Sequence, residues 1–394
     1  MDKYKCLDEF DILVIGAGFA GSVIANHFAQ LGKKILLLER RDQIAGNMYD
    51  YTDSNGILVH KYGPHTFHTN DKYLYDFITH FDEWFDYRLN CSVFMNGKMT
   101  PSPFNLQTVD DFFPGEDGCK IKSALRDEYG DLEKTTIVEM LECSNKTVAN
   151  YAKFLFECDY RPYTAKQWGI QPSEIDSSVL KRVPVLLTYN TGYFDDHYQC
   201  MPRYGYTHFF KQLLNHKNIE LLLNTDGLKH MIVNNGTVYF SGQRTQKIVV
   251  YTGAIDELLG YQYGILPYRS LNFRWKTEEV YSYQPLPVVA YPQEREYTRI
   301  TEYKKLPIQE VGKVTTYAVE YPLEYKIDGD LEPYYPIISQ SNLELYERYY
   351  SSLNGIDNLF LCGRLAEYKY YNMDQVLKST LDTCKKIERK IWSK

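Results

Sequence analysis

The 394-residue sequence predicts an α/β fold in three parts: a βαβ-based sheet domain, a helical insertion, and an antiparallel sheet. Three observations predict it. A buried-strand run, DILVI, passes at once into GAGFAG and an apolar-periodic helix, and a second run, KILLLE, follows. From about Tyr73 to Leu187 the strand signal fades and helical spacing replaces it. From Val238 to Tyr251, and again through Val280–Tyr321, alternation and β-branched residues return.

In chain order, Asp11 to Ile15 reads as a buried strand, the helix runs to about Leu31, and the second strand ends at Glu39. This is the context that a dinucleotide fingerprint requires, with Gly16 for the tight turn, Gly18 for close approach to a pyrophosphate, and Gly21 for helix–strand packing. The helix N-terminus offers unpaired N–H groups to phosphate. Glu39 is placed to accept hydrogen bonds from a ribose, and its charge disfavours a cofactor with a 2′-phosphate.

Lys72–Phe85 and Thr147–Phe156 have helical spacing, with turn-forming segments at Thr100–Asn105 and Pro114–Gly118. Pro285, Pro287 and Pro292 mark turns or edges of the later strands. NLFLCGR reads as a strand ending at Gly363–Arg364, followed by a helix from about Met373 to Trp392 with basic residues at its C-terminal end. The resulting division is 1–78 and 195–270 in the first domain, 79–194 helical, 271–324 antiparallel sheet, and 325–394 closing the first domain.

Composition narrows the class. Aromatics make up 15% of the chain, 37 of them tyrosine, which excludes a disordered protein lacking the apolar surface to offset chain entropy. A net charge of −7 gives no global attraction to nucleic acid, so an anionic ligand needs local cations. No segment approaches the roughly 18 consecutive apolar residues of a membrane span. The first ten residues carry charges where a signal peptide needs an apolar run, so a cytoplasmic location is expected and the sequons at Asn145 and Asn235 are incidental. Eight cysteines without a C-x-x-C pair read as free buried thiols.

Candidate chemistry is concentrated in a few places. His60, His65 and His68 form a loop that Gly63–Pro64 keeps out of a helix, which disfavours a metal site and leaves a structural role or a place against a cofactor. Arg182 and Arg299, the latter in YTRIT among hydroxyls, suit a phosphate, although either reads equally as a solvated charge. Tyr160, Tyr163 and Trp168, the Tyr334–Tyr335 pair, and Tyr368, Tyr370 and Tyr371 offer rings to a planar base, or to the core. The residues alone reach a flavin or nicotinamide protein with an anionic, base-bearing ligand, and no reaction.

The motifs GAGFAG, RDxxAGNxYD, YGPHTFHT, YTAKQWGxQPSE, LKRVPV, MPRYGYT, GYQYG, YTRITEYK, YYPI and GRLAEYKYYNMD occur in that order along nearly the whole chain. Together they closely resemble the bacterial UDP-galactopyranose mutases, an FAD-dependent family. The resemblance implies a Rossmann-like FAD-binding domain with an inserted helical domain and an antiparallel β-sheet domain. It implies FAD contacts from Gly16, Gly18, Phe19, Gly21, Glu39, Arg40, Gly46, Asn47, His65, Gly363, Arg364, Tyr370 and Met373. For the UDP-sugar it implies Tyr160, Tyr163, Thr164 and Trp168 on the nucleotide side, and Arg182, Tyr193, Phe194, Arg299, Tyr335, Tyr370 and Asn372 around the diphosphate and sugar. Arg182 would ride on a mobile loop over about 179–193. No metal is implied, and a homodimer is.

The reaction so implied interconverts UDP-galactopyranose and UDP-galactofuranose. Ring contraction needs the anomeric bond to UDP to break and re-form, and a reduced flavin nitrogen would hold the sugar as a covalent iminium meanwhile. Arg182, Arg299 and His65 are the implied catalytic side chains. The sequence departs from the family at Asn372, usually aspartate with Asp374 retained, and at Asp159–Tyr160, usually two phenylalanines. Pro162 replaces a glycine and Ala45 interrupts a double glycine. Two other readings stay open: a flavin oxidoreductase of the amine-oxidase or desaturase type, and a flavin-binding scaffold without turnover, motivated by Asn372.

Overall fold

The computed structural model describes residues 9–169 and 183–392. Five parallel strands form the first sheet, in the order Ile219–Leu222, Ile35–Leu38, Ile12–Ile15, Ile248–Tyr251, Leu359–Leu361. The three central strands, ILLL, ILVI and IVVY, are buried throughout, as a parallel sheet covered on both faces requires. One face packs on the helix Phe19–Gln30, which in turn contacts the closing helix Met373–Trp392. Leu377, Leu381, Cys384 and Ile387 turn a single stripe of that closing helix to the core. The opposite face is covered by the three-stranded meander that contributes Met231, Val238 and Phe240.

The second sheet has seven strands, in the order Tyr335–Pro336, Tyr268–Glu278, Thr315–Glu324, Arg299–Glu302, Val288–Ala290, Cys91–Met95, Lys98–Ser102. All its pairings are antiparallel except that of Val288–Ala290 with Cys91–Val93. It therefore reaches well beyond 271–324 and recruits a hairpin from the segment expected to be helical. That hairpin turns at Asn96–Gly97, both at positive φ, the conformation a two-residue turn between twisted strands demands.

Helices Leu106–Phe112, Glu116–Tyr129, Ile137–Leu141, Lys146–Leu155 and Arg161–Trp168 build the insertion around a separate core that includes Val109, Ile121, Met140, Val148 and Leu155. The helix expected over Lys72–Phe85 stops at Thr79. Trp84–Asp86 is instead a strand on Tyr198–Pro202, where pairing and burial against Phe67 and Phe209 override the helical spacing. Among the described residues four cysteines are buried as expected (Cys91, Cys200, Cys362, Cys384), whereas Cys119 is exposed and Cys143 and Cys158 are half-buried; Cys6 lies outside the described residues. Among the described residues, no helix is long and apolar enough to cross a membrane.

Candidate active site

The turn after the first strand is closed tightly. Gly16 has φ +101°, and a Cβ there would sit 2.0 Å from Thr252 Oγ1. A Cβ on Gly21 would sit 1.9 Å from the Gly16 carbonyl oxygen, so helix and strand touch backbone to backbone. The Glu39 carboxylate accepts from the Ala17 N–H at 2.8 Å and the Arg41 N–H at 2.9 Å, tying the second strand to this turn.

A cleft with about 1200 Å³ of open space begins here. It is lined by Gly16, Gly18, Phe19, Glu39, Arg40, Gly46, Asn47, His65, Gly363, Arg364 and Met373, eleven of the thirteen residues expected around a cofactor. Gly21 is packed beneath the turn, and the Tyr370 ring lies next to the Arg364 guanidinium. Other lining residues include Tyr334, already a candidate ring, and Arg41 and Thr252, to which no motif pointed. Arg40 is held by Glu257 and Glu332. Arg41 binds Glu332 and Asn47, lies 4.7 Å over the Tyr62 ring, and keeps its Nη1 buried without a partner among the described residues.

The closing turn adds an aromatic wall. Arg364 donates to the Tyr371 carbonyl oxygen at 2.6 Å and the Tyr334 carbonyl oxygen at 3.3 Å, and its guanidinium lies 5.5 Å and 5.8 Å from the rings of Tyr335 and Tyr370. Those two rings stack at 5.2 Å, and Trp168 continues the row 6.0 Å from Tyr370. Trp168 is fixed by Arg269, which donates to the carbonyl oxygens of Gln167 and Lys166 at the C-terminus of its helix.

Arg299 reaches the same region from the second sheet. Its Nε donates to Glu320 Oε2 at 2.8 Å, and Glu320, which no motif pointed to, is buried on the paired strand. Burial works against the guanidinium charge, and Glu320, with Tyr163 and Tyr335, holds it in place. Burial raises the Tyr163 phenol above its ordinary pKa despite Arg299. It raises Tyr335 to about 12, with Tyr370 adding to the shift. Both phenols therefore keep their protons and can donate near neutral pH.

The histidines divide among three partners. His65 Nδ1 lies 2.8 Å from the Gly63 carbonyl oxygen, and His60 Nδ1 lies 3.1 Å from the His65 amide nitrogen. His68 pairs with Asp196 at 2.7 Å and stacks on Phe194 at 3.7 Å. Burial lowers His60 and His65 to about 3. Among the described residues no cluster of three His, Cys, Asp or Glu could hold a metal.

Of the other expected substrate residues, Tyr160 lies away from the cleft. Tyr160 belongs to the helical core, 5% exposed against Phe104, with its hydroxyl donating to the Val183 carbonyl oxygen. A π-helical turn, Phe156–Tyr160, precedes the helix that carries Tyr163 and the buried Thr164. Asn372 is exposed at the head of the closing helix, where its N–H donates to Gln375. Arg182 lies outside the described residues. The described part of the loop expected to move, 183–193, is tethered: Val185–Leu186 pairs with Lys134–Thr135, and Tyr189 donates to Asp110.

Comparison with known proteins adds to this geometry. Residues 159–370 match a family model described as UDP-galactopyranose mutase, and residues 14–81 one described as an NAD(P)-binding Rossmann-like domain. A UDP-galactopyranose mutase of Mycoplasma pneumoniae is 36% identical over 386 residues, 96% of each chain. A dTDP-fucopyranose mutase of Escherichia coli is 33% identical over 374 residues, 94% of this chain and 96% of that one. The crystal structure of a reduced UDP-galactopyranose mutase superposes with a TM-score of 0.70 at 17% identity, covering 96% of this chain and 94% of the other.

Proposed function

The chain belongs to the UDP-galactopyranose mutase family of isomerases, and on that premise we propose that it interconverts UDP-galactopyranose and UDP-galactofuranose. The observation that carries the reading is the Arg299–Glu320 pair, set with Tyr163 and Tyr335 beside the aromatic wall. A fixed guanidinium flanked by protonated phenols is suited to a diphosphate. An amine or alkene substrate has no use for it, which disfavours the oxidoreductase reading.

The proposed cofactor is FAD, and the cleft residues fit it. Gly18 lines the cleft where a missing side chain would let a pyrophosphate approach, the crowded Gly16 and Gly21 keep the turn tight around it, and Glu39 is proposed for the ribose. Arg41, with one buried and unpartnered nitrogen, offers a cation to the phosphates alongside Arg40. When bound in its reduced form, a flavin supplies a nucleophilic nitrogen for the anomeric carbon.

The protein's own residues do the remainder. Arg299 and Tyr335 would take up the charge that develops on the departing nucleotide, and they need no reorganisation because Glu320 and the stacked rings already hold them. Tyr163 and Trp168 would present rings to the base, keeping the diphosphate in register. Arg182 is proposed as the second cation. A homodimer and a cytoplasmic location complete the proposal.

The relative from Escherichia coli, named for dTDP-fucopyranose, makes the sugar nucleotide the point to test. Reduced protein should be offered UDP-galactofuranose and dTDP-fucofuranose separately, with products resolved by chromatography. Faster conversion of the UDP sugar supports the proposal. Faster conversion of the dTDP sugar reassigns the substrate, and conversion of neither overturns the activity.

A further inference from the structure

His60 and His65 are neutral at physiological pH, and their partners dictate where each carries its proton. A carbonyl oxygen can only accept, so His65 Nδ1, 2.8 Å from the Gly63 oxygen, must bear hydrogen. A backbone amide can only donate, so His60 Nδ1, 3.1 Å from the His65 nitrogen, must be bare. The two rings, 6.3 Å apart, thus hold opposite tautomers: Nε2–H in His60 and Nδ1–H in His65.

His60 gains nothing else from its position. It is 1% exposed, and its Nε2 is buried without a partner among the described residues, as is the Tyr303 hydroxyl whose ring lies next to it. A buried donor without a partner destabilises a fold. A phenylalanine or leucine would fill the same volume among Tyr206 and Tyr303 without that burden. Among the described residues, the one hydrogen bond of the His60 side chain is the one from the His65 amide.

That bond fixes the segment in which Gly63, at φ +96°, turns its carbonyl to His65. With Nδ1 so occupied, His65 presents a bare Nε2 on a ring that lines the cofactor cleft. Burial disfavours a second proton on that ring, and His60, Arg364 and Arg299 add to the effect. We infer that His60 is a positioning residue: by accepting the His65 amide hydrogen, it locks His65 in the tautomer that offers the cofactor a hydrogen-bond acceptor and never a donor. The inference rests on the flavin reading for the identity of the cofactor, but not for the tautomers.

Two variants separate the acceptor from the ring. His60→Asn keeps an acceptor close to the Nδ1 position, whereas His60→Phe keeps the ring and removes the acceptor. Nitrogen NMR of ring-labelled holoenzyme near neutral pH should show His60 as Nε2–H and His65 as Nδ1–H. In His60→Phe the single His65 tautomer should be lost, and the midpoint potential and absorption spectrum of the bound flavin should shift. His60→Asn should restore all three towards wild type. A wild-type His65 protonated on Nε2 overturns the inference, as does a folded His60→Phe with an unchanged His65 tautomer and potential. If His60→Phe does not fold, the wild-type tautomers and the behaviour of His60→Asn decide. Protein that purifies without flavin refutes the cofactor reading alone, since the tautomers are then measured in the flavin-free chain.

Discussion

Arg299 donates through Nε to Glu320 Oε2 at 2.8 Å, across the register that places those two residues opposite each other on neighbouring strands. The Glu320 side chain is 2% exposed and the Arg299 side chain 23%, so the acid is committed to the fold while the base retains a face towards the site. A charge-assisted bond from Arg299 to phosphate is worth about 1.5–3 kcal/mol. Arg299→Ala should therefore weaken UDP binding by roughly 10- to 150-fold, read by calorimetric titration. Arg299→Lys should recover only part of the loss, because an ammonium lacks the planar fork. Unchanged UDP affinity in Arg299→Ala would remove the diphosphate assignment.

Glu320→Ala tests the other half of the pair. It strands a guanidinium in a largely buried place, which costs roughly 3 kcal/mol of stability. Glu320→Gln keeps an acceptor and should cost less. Urea unfolding measures both, and an alanine variant as stable as wild type would mean that the pair carries no weight.

Gly21→Ala should abolish cofactor retention. Its Cβ would fall 1.9 Å from the Gly16 oxygen, and only a backbone shift of the fingerprint turn could relieve that. The absorbance of protein purified from this variant, compared with wild type, is the readout. Full flavin occupancy would contradict the close packing of helix and strand.

Ala45 offers the reverse experiment. It is a buried non-glycine at φ +75°, where the family resemblance expects glycine. An alanine there carries roughly 1–2 kcal/mol of strain, and the entropy of a freer unfolded chain offsets about half of what glycine would relieve. Ala45→Gly should raise the urea midpoint by the equivalent of about 1 kcal/mol or less, with no change in slope. A lower midpoint would contradict the strain.

Stability should fall on the acid side. His60 and His65 titrate at about 3 in the folded chain, against an ordinary value near 6.5, so below about pH 6.5 the unfolded chain binds protons that the folded chain refuses. The loss between about pH 6.5 and 5 is about 2 kcal/mol per histidine. Asp159 opposes it: burial lifts its carboxyl to about 7, so the folded chain holds that proton longer than the unfolded one as pH rises. Asp159→Asn should consequently steepen the loss between pH 7 and 5. An unchanged loss in that variant would mean that burial does not raise the carboxyl, and a shallower one would mean that the fold favours its charged form.

The local parts of this fold are legible because their determinants are adjacent in the chain. The strand, turn, helix and acid from Asp11 to Glu39 dictate one another within a single βαβ unit, and the floor of the cleft at Gly16, Gly18, Phe19 and Glu39 follows from them. The hairpin at Asn96–Gly97 carried a legible signal too, a turn dipeptide between CSVFM and KMTPS, which the neighbouring helical spacing obscured. Glu320 could not be read in this way. Its role depends on strand register with Arg299, twenty-one residues away, and an isolated glutamate in a strand has no pattern of its own. Tyr160 and Tyr163 look equivalent in sequence, yet the π-helical turn at Phe156–Tyr160 sends the first into the helical core while the second stays within reach of Arg299. Arg41 could not be singled out because Glu39–Arg40–Arg41 presents two arginines side by side, and only packing shows which one keeps a buried nitrogen without a partner among the described residues.

The proposed rearrangement consumes no electrons yet depends on a reduced flavin. The most direct test incubates the purified protein with UDP-galactofuranose under anaerobic conditions, before and after dithionite reduction, and follows both UDP-galactopyranose and the flavin spectrum. Conversion that begins only after reduction, while the flavin stays reduced through many turnovers, is the predicted result. Equal conversion by oxidised and reduced protein, or flavin reoxidised in step with product, would contradict it.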